Sequence, residues 1–133
     1  MTDEAYQRGM LIRRAVLGEE HVDRAQASTT EFTRDFQEFI TRYAWGEIWN
    51  RPGLDRKTRS MLTIAITAGL GRWEELRIHV RGARNTGVTR EEVGEVLMQV
   101  AIYAGVPAAN TAFAHASAVY REVDQDDVPP LSP

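Results

Sequence analysis

The sequence predicts an all-α protein of about six helices, and three observations predict it. Apolar residues recur at the i, i+3, i+4, i+7 spacing of one helix face through most of the chain. Ser28 with Glu31 and Thr89 with Glu92 set a hydroxyl three residues ahead of a carboxylate, the spacing of an N-terminal capping box. Glycines at 18, 87 and 105 follow periodic segments, where a left-handed residue closes a helix. No stretch alternates apolar and polar residues as a strand would.

A first helix runs from about Asp3 to Leu17 and stops at Gly18. Ser28 introduces a second, whose Phe32, Phe36, Phe39, Ile40 and Tyr43 share one face that is expected to turn toward a core. The segment WGEIWNRPGLDR follows as a loop rich in aromatics. Asp55 can cap a third helix reaching about Ala68. Its MLTIAITAGL run is apolar almost all round, which predicts a central, buried helix broken by Gly69 and Gly71. The fourth helix, from about Trp73 to Thr86, carries Leu76, Val80 and Ala83 on one stripe and ends at Gly87, with Val88 making the apolar contact of a left-handed cap. The fifth shows Val93, Val96, Leu97, Val100, Ala101 and Ala104 at helical period and ends at Gly105. Pro107 suits the first turn of a sixth, PAANTAFAHASAVY, whose small residues let other helices approach closely, within the chain or across a subunit boundary. Residues 1–124 read as a single helical domain, and 125–133 as a loose acidic, Pro-rich tail.

Composition removes several functions. There is no cysteine among the 133 residues, so disulfides, thiolate metal sites and thiol redox chemistry are excluded. A net charge of -3 gives nucleic acid no general electrostatic footprint. The first twenty residues carry charges throughout and lack the continuous apolar run of a signal peptide or a membrane span, so a cytoplasmic protein with no membrane partner is expected. Of 16 basic residues only Lys57 is lysine, so any positive site is built from guanidinium forks, which suit bidentate carboxylate recognition. HVRG lacks the paired ligand spacing of a helical metal site, no serine sits in a nucleophile elbow, and GVTREEVGEV is helix-capping chemistry rather than a phosphate loop.

Three segments carry a family resemblance: WGEIWNRPGLDRKTRSMLTIA, HVRGARNTGVTREEV and QVAIYAGVPAA. From about Trp45 to Tyr120 the chain resembles the carboxymuconolactone decarboxylase family. The H-x-x-x-A-x-x-x-G-V-T-x-E-E pattern that starts at His79 is shared by the wider superfamily and implies only the fold, an oligomeric AhpD-like helical bundle. The WGEIWNRPGLDR stretch points to the branch that acts on γ-carboxymuconolactone. Thiol peroxidase-like members carry a Cys-x-x-Cys ahead of the histidine. Those positions here are Arg72 and Glu75, and the glutamate that serves the thiols falls at Ser60. A disulfide cycle is impossible without sulfur nucleophiles.

The resemblance implies a lyase of the protocatechuate branch of the 3-oxoadipate pathway. Its substrate is a five-membered unsaturated lactone bearing a carboxylate and an acetate arm, and its products are CO2 and 3-oxoadipate enol-lactone. The departing carboxylate is conjugated through the ring double bond with the lactone carbonyl, so the substrate is its own electron sink, and neither cofactor nor metal is expected. Three tasks remain: to hold two carboxylates, to stabilise the oxyanion, and to protonate the carbon beside the carbonyl. For the carboxylates the candidates are Arg51, Arg59, Arg72 and Arg81, with Trp45, Trp49 and Tyr103 as a less polar surround for the leaving group. His79 is the candidate for oxyanion and proton, because an unperturbed imidazole titrates near ~6.5. Glu47 is placed to orient it, or to act as the acid if burial raises its pKa.

Each assignment has a plainer counterpart. A helical histidine beside an apolar stripe suits a buried packing role, Glu47 suits a helix-start acceptor, and Trp45 and Trp49 suit core or interface anchors. Arg77 and Arg84 suit solvated pairs with Glu74 or other acids. His21 and His115 have no motif around them and read as structural. The rival functions are a non-catalytic oligomeric binding or stress protein on the same scaffold, and a decarboxylase-like enzyme for a different lactone or oxo-acid. Apolar surface beyond what one protomer can hide predicts a homo-oligomer. Similar proteins form hexamers, trimers of dimers with pockets near subunit contacts.

Overall fold

The computed structural model describes residues 3–127. Among them the chain is all-helical, with seven α-helices and one π segment: α1 (Glu4–Leu17), α2 (Glu19–Ala27), α3 (Arg34–Ile40), the π segment (Thr41–Ile48), α4 (Arg56–Leu70), α5 (Trp73–Thr86), α6 (Arg90–Tyr103) and α7 (Val106–Asp127). The described residues fall into two compact units, with the division between Arg59 and Ser60. No helix among them is long and apolar enough to cross a membrane.

In the first unit Asp3 opens α1 by accepting the Tyr6 N–H at 3.1 Å, and Gly18 closes it. The expected helix from Ser28 is not there. A separate α2 follows Gly18, and Ser28 caps its C-terminal end, with its N–H donating to the Arg24 carbonyl at 3.0 Å and its hydroxyl to Ala25 at 3.1 Å. Committed to that role, Ser28 cannot start the next helix. Thr30 and Thr33 bond to each other instead and launch α3 at Arg34.

The aromatic segment expected as a loop continues α3 as the π segment, and the true loop begins only at Trp49. Phe32, Phe36, Phe39 and Tyr43 were expected in the core but are 94%, 61%, 55% and 45% exposed. Thr41, Trp45 and Gly46 are buried in their place. The reason is a backbone-to-backbone crossing with α1. A methyl group on Gly9 would lie 1.9 Å from the Thr41 carbonyl oxygen, and one on Gly46 2.5 Å from that of Ala5. Arg8 Nε donates to the Gly46 carbonyl at 2.9 Å, satisfying an acceptor on the π segment.

In the second unit one core joins Ile64 and Ala68 of α4, Leu76, Val80 and Ala83 of α5, Val93, Leu97 and Val100 of α6, and Ala109, Ala112, Ala116, Val119 and Val123 of α7. The α7 series steps by three and four, one stripe of a regular helix. α4 is not buried all round as expected: Ser60, Ile64, Thr67 and Ala68 face inward, while Leu62, Ile66 and Leu70 are exposed. It packs on one side only in the single chain. It also runs through Gly69 and ends at Gly71. Gly87 adopts a left-handed φ of 85°, Val88 is buried beyond it, and Thr89 and Glu92 form the expected capping box. α7 takes in residues 125–127 of the segment expected as a loose tail, and 128–133 lie outside the described residues.

Candidate active site

The nine candidate side chains divide between the two units. Trp45, Glu47, Trp49, Arg51 and Arg59 belong to the first, and Arg72, His79, Arg81 and Tyr103 to the second.

In the first unit the π segment aims Trp45 inward, and its ring stacks on Trp49 with centroids 4.9 Å apart and 26° between planes. Trp49 closes the segment by donating its N–H to Ala44 at 3.0 Å. Glu47 is exposed on the same segment, so the burial its role as an acid would require is not met in the single chain. Arg51 is exposed and Arg59 half-buried, and Arg59 Nη2 donates to the Arg51 carbonyl at 3.3 Å. Asp55 starts α4 by accepting the Thr58 N–H at 2.7 Å, and its bonds to Thr58 hold its carboxyl below the usual range. The loop is therefore fixed at both ends, by the tryptophan stack and by this cap.

In the second unit α5 sets the geometry. Arg72 is its exposed N-cap, and its N–H donates to the Thr67 carbonyl at 2.8 Å. His79 lies seven residues on, nearly two whole turns, so the two share a stripe. Its ring is half-buried, with Nδ1 shut away from solvent. Arg81 lies about 200° further round the helix than His79. Its fork meets α7, with Nη2 2.7 Å from Glu122 and Nη1 3.2 Å from Asp126. Tyr103, 82% exposed at the end of α6, lines an open apolar groove of about 440 Å³ with Ala65, Ile66 and Val100. The structure thus joins Trp45 with Trp49 and Arg51 with Arg59, and helix periodicity sets Arg72 and His79 on one side of α5, about two turns apart. It directs Arg81 away from His79.

Three arrangements escaped the sequence reading. Arg77 makes the expected solvated pair, with Glu122 at 4.0 Å, but its Nε also donates to His115 Nδ1 at 2.7 Å, and His115 stacks on Trp73 at 5.2 Å and 16°. Only the i, i+4 spacing of Trp73 and Arg77 hinted at a shared face. Ser60, where thiol-dependent relatives place a glutamate, is fully buried, with no hydrogen-bond partner for its hydroxyl. Arg13 is buried in α1 among neutral groups. His21 is half-buried, and burial, with Arg24 and Arg13, pulls its pKa below the usual value. No three His, Asp or Glu side chains converge on one point among the described residues.

Comparison with known proteins extends this picture. The model of the carboxymuconolactone decarboxylase family matches residues 34–118, from α3 to α7. A 4-carboxymuconolactone decarboxylase from Acinetobacter baylyi is 48% identical over 124 residues, 92% of this chain and 92% of that protein. A nitrosuccinic acid decarboxylase from Metarhizium robertsii is 48% identical over 109 residues, 79% of this chain and 76% of that one. A 4-carboxymuconolactone decarboxylase from Pseudomonas putida is 50% identical over 44 residues, 33% of this chain and 92% of that sequence. With most of its length matched in this way, the chain belongs to the carboxymuconolactone decarboxylase family.

Proposed function

We propose that this chain is a carboxy-lyase that removes CO2 from γ-carboxymuconolactone and leaves 3-oxoadipate enol-lactone. The observation that carries this reading is 48% identity over 92% of both chains to a 4-carboxymuconolactone decarboxylase. As the carboxylate departs, the electron pair of the broken carbon–carbon bond runs through the ring double bond to the lactone carbonyl oxygen. The resulting dienolate is protonated at the carbon beside the carbonyl.

The roles follow from position. His79 stabilises the dienolate oxygen and supplies the proton through Nε2, its Nδ1 being buried. Arg72, on the same stripe, holds the acetate arm with a charge-assisted fork. Arg51 and Arg59 are the further candidates for carboxylate binding. The departing carboxylate needs a less polar surround, since a tight clamp on it would stabilise the ground state and raise the barrier, and Trp45, Trp49 and Tyr103 are each candidates for that surround. Glu47 is a candidate hydrogen-bond acceptor, exposed on the π segment. Arg81, held by Glu122 and Asp126, serves to dock α7 on α5.

A second reading is favoured by the nitrosuccinic acid decarboxylase, equally identical but over 79% of this chain. Its chemistry has the same form, because a nitro group, like a conjugated carbonyl, accepts the electron pair that CO2 leaves behind. Purified protein incubated with each acid, followed by ultraviolet absorbance and CO2 release, separates the two. Turnover of the lactone well above that of nitrosuccinate is expected. The reverse order selects the second reading, and turnover of neither above the spontaneous rate selects a non-catalytic scaffold.

The assembly is a homo-oligomer, with a hexamer implied by similar proteins. Leu62, Ile66 and Leu70 on α4 and Met98, Ile102 and Tyr103 on α6 leave the single chain with large exposed apolar side chains. A stable monomer by mass measurement in solution would overturn this.

A further inference from the structure

Arg13 is the one charged residue among the described residues that is more than nine-tenths buried, at 7% exposed. Its partners there are neutral: Nη1 donates to Thr41 Oγ1 at 3.2 Å, Nη2 donates to Gln37 Oε1 at 3.3 Å, and Nε is buried without an acceptor. Burial holds its pKa below the usual arginine value. A charge taken out of water with no opposite charge beside it is costly, and proteins rarely leave one in that state.

The two residues that hold this guanidinium also line a half-closed cavity of about 290 Å³. Gln37 is fixed with its carbonyl oxygen toward Arg13, so its two amide N–H groups remain to donate. Tyr6, also in the lining, accepts from Gln26 Nε2 at 3.3 Å and keeps its own O–H for a ligand. Arg34 adds a second guanidinium to the wall. Glu38 is the single carboxylate in the lining, and it makes no ion pair with Arg13. Arg13 is not itself in the lining, but the cavity sets the donors of Gln37, Tyr6 and Arg34 beside the two residues that hold the buried guanidinium, and the group that fits them is one with several acceptor oxygens and a negative charge.

We propose that this cavity binds a small oxyanion, a carboxylate or a phosphate, held by Gln37, Tyr6 and Arg34, whose charge compensates that of Arg13. The site uses none of the residues assigned to decarboxylation and lies wholly within the first unit, so it stands or falls apart from that reading.

The test is thermal melting of the full chain in succinate, in inorganic phosphate and in chloride at equal ionic strength, at two protein concentrations. At tens of millimolar, at least one oxyanion is expected to raise the wild-type midpoint by about 3 °C or more over chloride, the response of a site near saturation. Whichever probe acts identifies the source. Arg34→Gln and Tyr6→Phe should each at least halve the rise, and Arg13→Met, which removes the buried charge, should abolish it. If Arg13→Met does not fold, the other two variants carry the test. No rise with either probe overturns the proposal, as does an equal rise in every variant. The two protein concentrations separate a rise due to assembly, which the chloride buffer shares, from one due to the site.

Discussion

His79 sits at mid-helix with one ring nitrogen buried, and Arg72 shares its stripe at the exposed start of α5. His79→Gln keeps a polar side chain of similar reach but removes the titratable nitrogen. It is expected to lower kcat about 100-fold or more while circular dichroism and solution mass stay unchanged. Full kcat would return His79 to a packing role. Arg72→Lys replaces a planar fork with a point charge and should raise KM about tenfold at nearly constant kcat. Arg81→Lys is the contrast. Its bonds to Glu122 and Asp126 are partly solvated, so steady-state kinetics should hold and stability should fall by less than about 1 kcal/mol. If Arg81→Lys raises KM instead, the fork that holds the acetate arm is Arg81. The residue types of this site were legible, since guanidiniums are nearly the sole cations in the sequence. Their partners were not, because Arg81 finds its carboxylates 41 and 45 positions away.

At the scale of the element, ends were easier to read than faces. Gly18, Gly87 and the Thr89–Glu92 box behave as local chemistry dictates, because a cap depends on a few adjacent dihedral angles and hydrogen bonds. The face that α3 turns inward depends on what packs against it. Its aromatic stripe has perfect helical spacing, yet it points outward because two glycines let α1 approach on the other side. Gly9→Ala is therefore expected to destabilise the protein by about 2 to 4 kcal/mol in urea unfolding, since the new methyl meets rigid backbone rather than a side chain that can move. A loss below about 0.5 kcal/mol would mean that the α1 crossing yields to the added methyl. The π segment beside that crossing carries WGEI, so the crossing also bears on how Trp45 and Glu47 are presented.

For the whole molecule, charge and apolar surface set the response to conditions. Asp3, Asp55 and Asp124 are held below the usual carboxylate range, chiefly by Arg42, Thr58 and Arg90 respectively. A depressed folded pKa means that the unfolded chain binds the proton first. The stability they contribute is complete above the unfolded value of about 3.9 and is lost as pH falls through the folded values. His21 is depressed mainly by burial, and there too the unfolded chain protonates first, so stability begins to decline below about 6.5. Melting points should be level above pH 7, fall gently near pH 6 and fall steeply below pH 4, and His21→Gln should remove only the gentle step. A midpoint that is flat from pH 7 to pH 5 would show that His21 is as solvated folded as unfolded.

By itself the sequence determined the helical class, most helix ends, the absence of thiol chemistry, and the family through motifs that lie along a continuous stretch. All of these rest on neighbours within about a turn or on composition. The tertiary structure alone decided which stripe of α3 and α4 is covered, where the wide turn falls, that Arg81 pairs with α7, and that Arg13 is buried without a carboxylate. Those outcomes depend on side chains far apart in the chain competing for the same space and the same charge, and no local pattern encodes the winner.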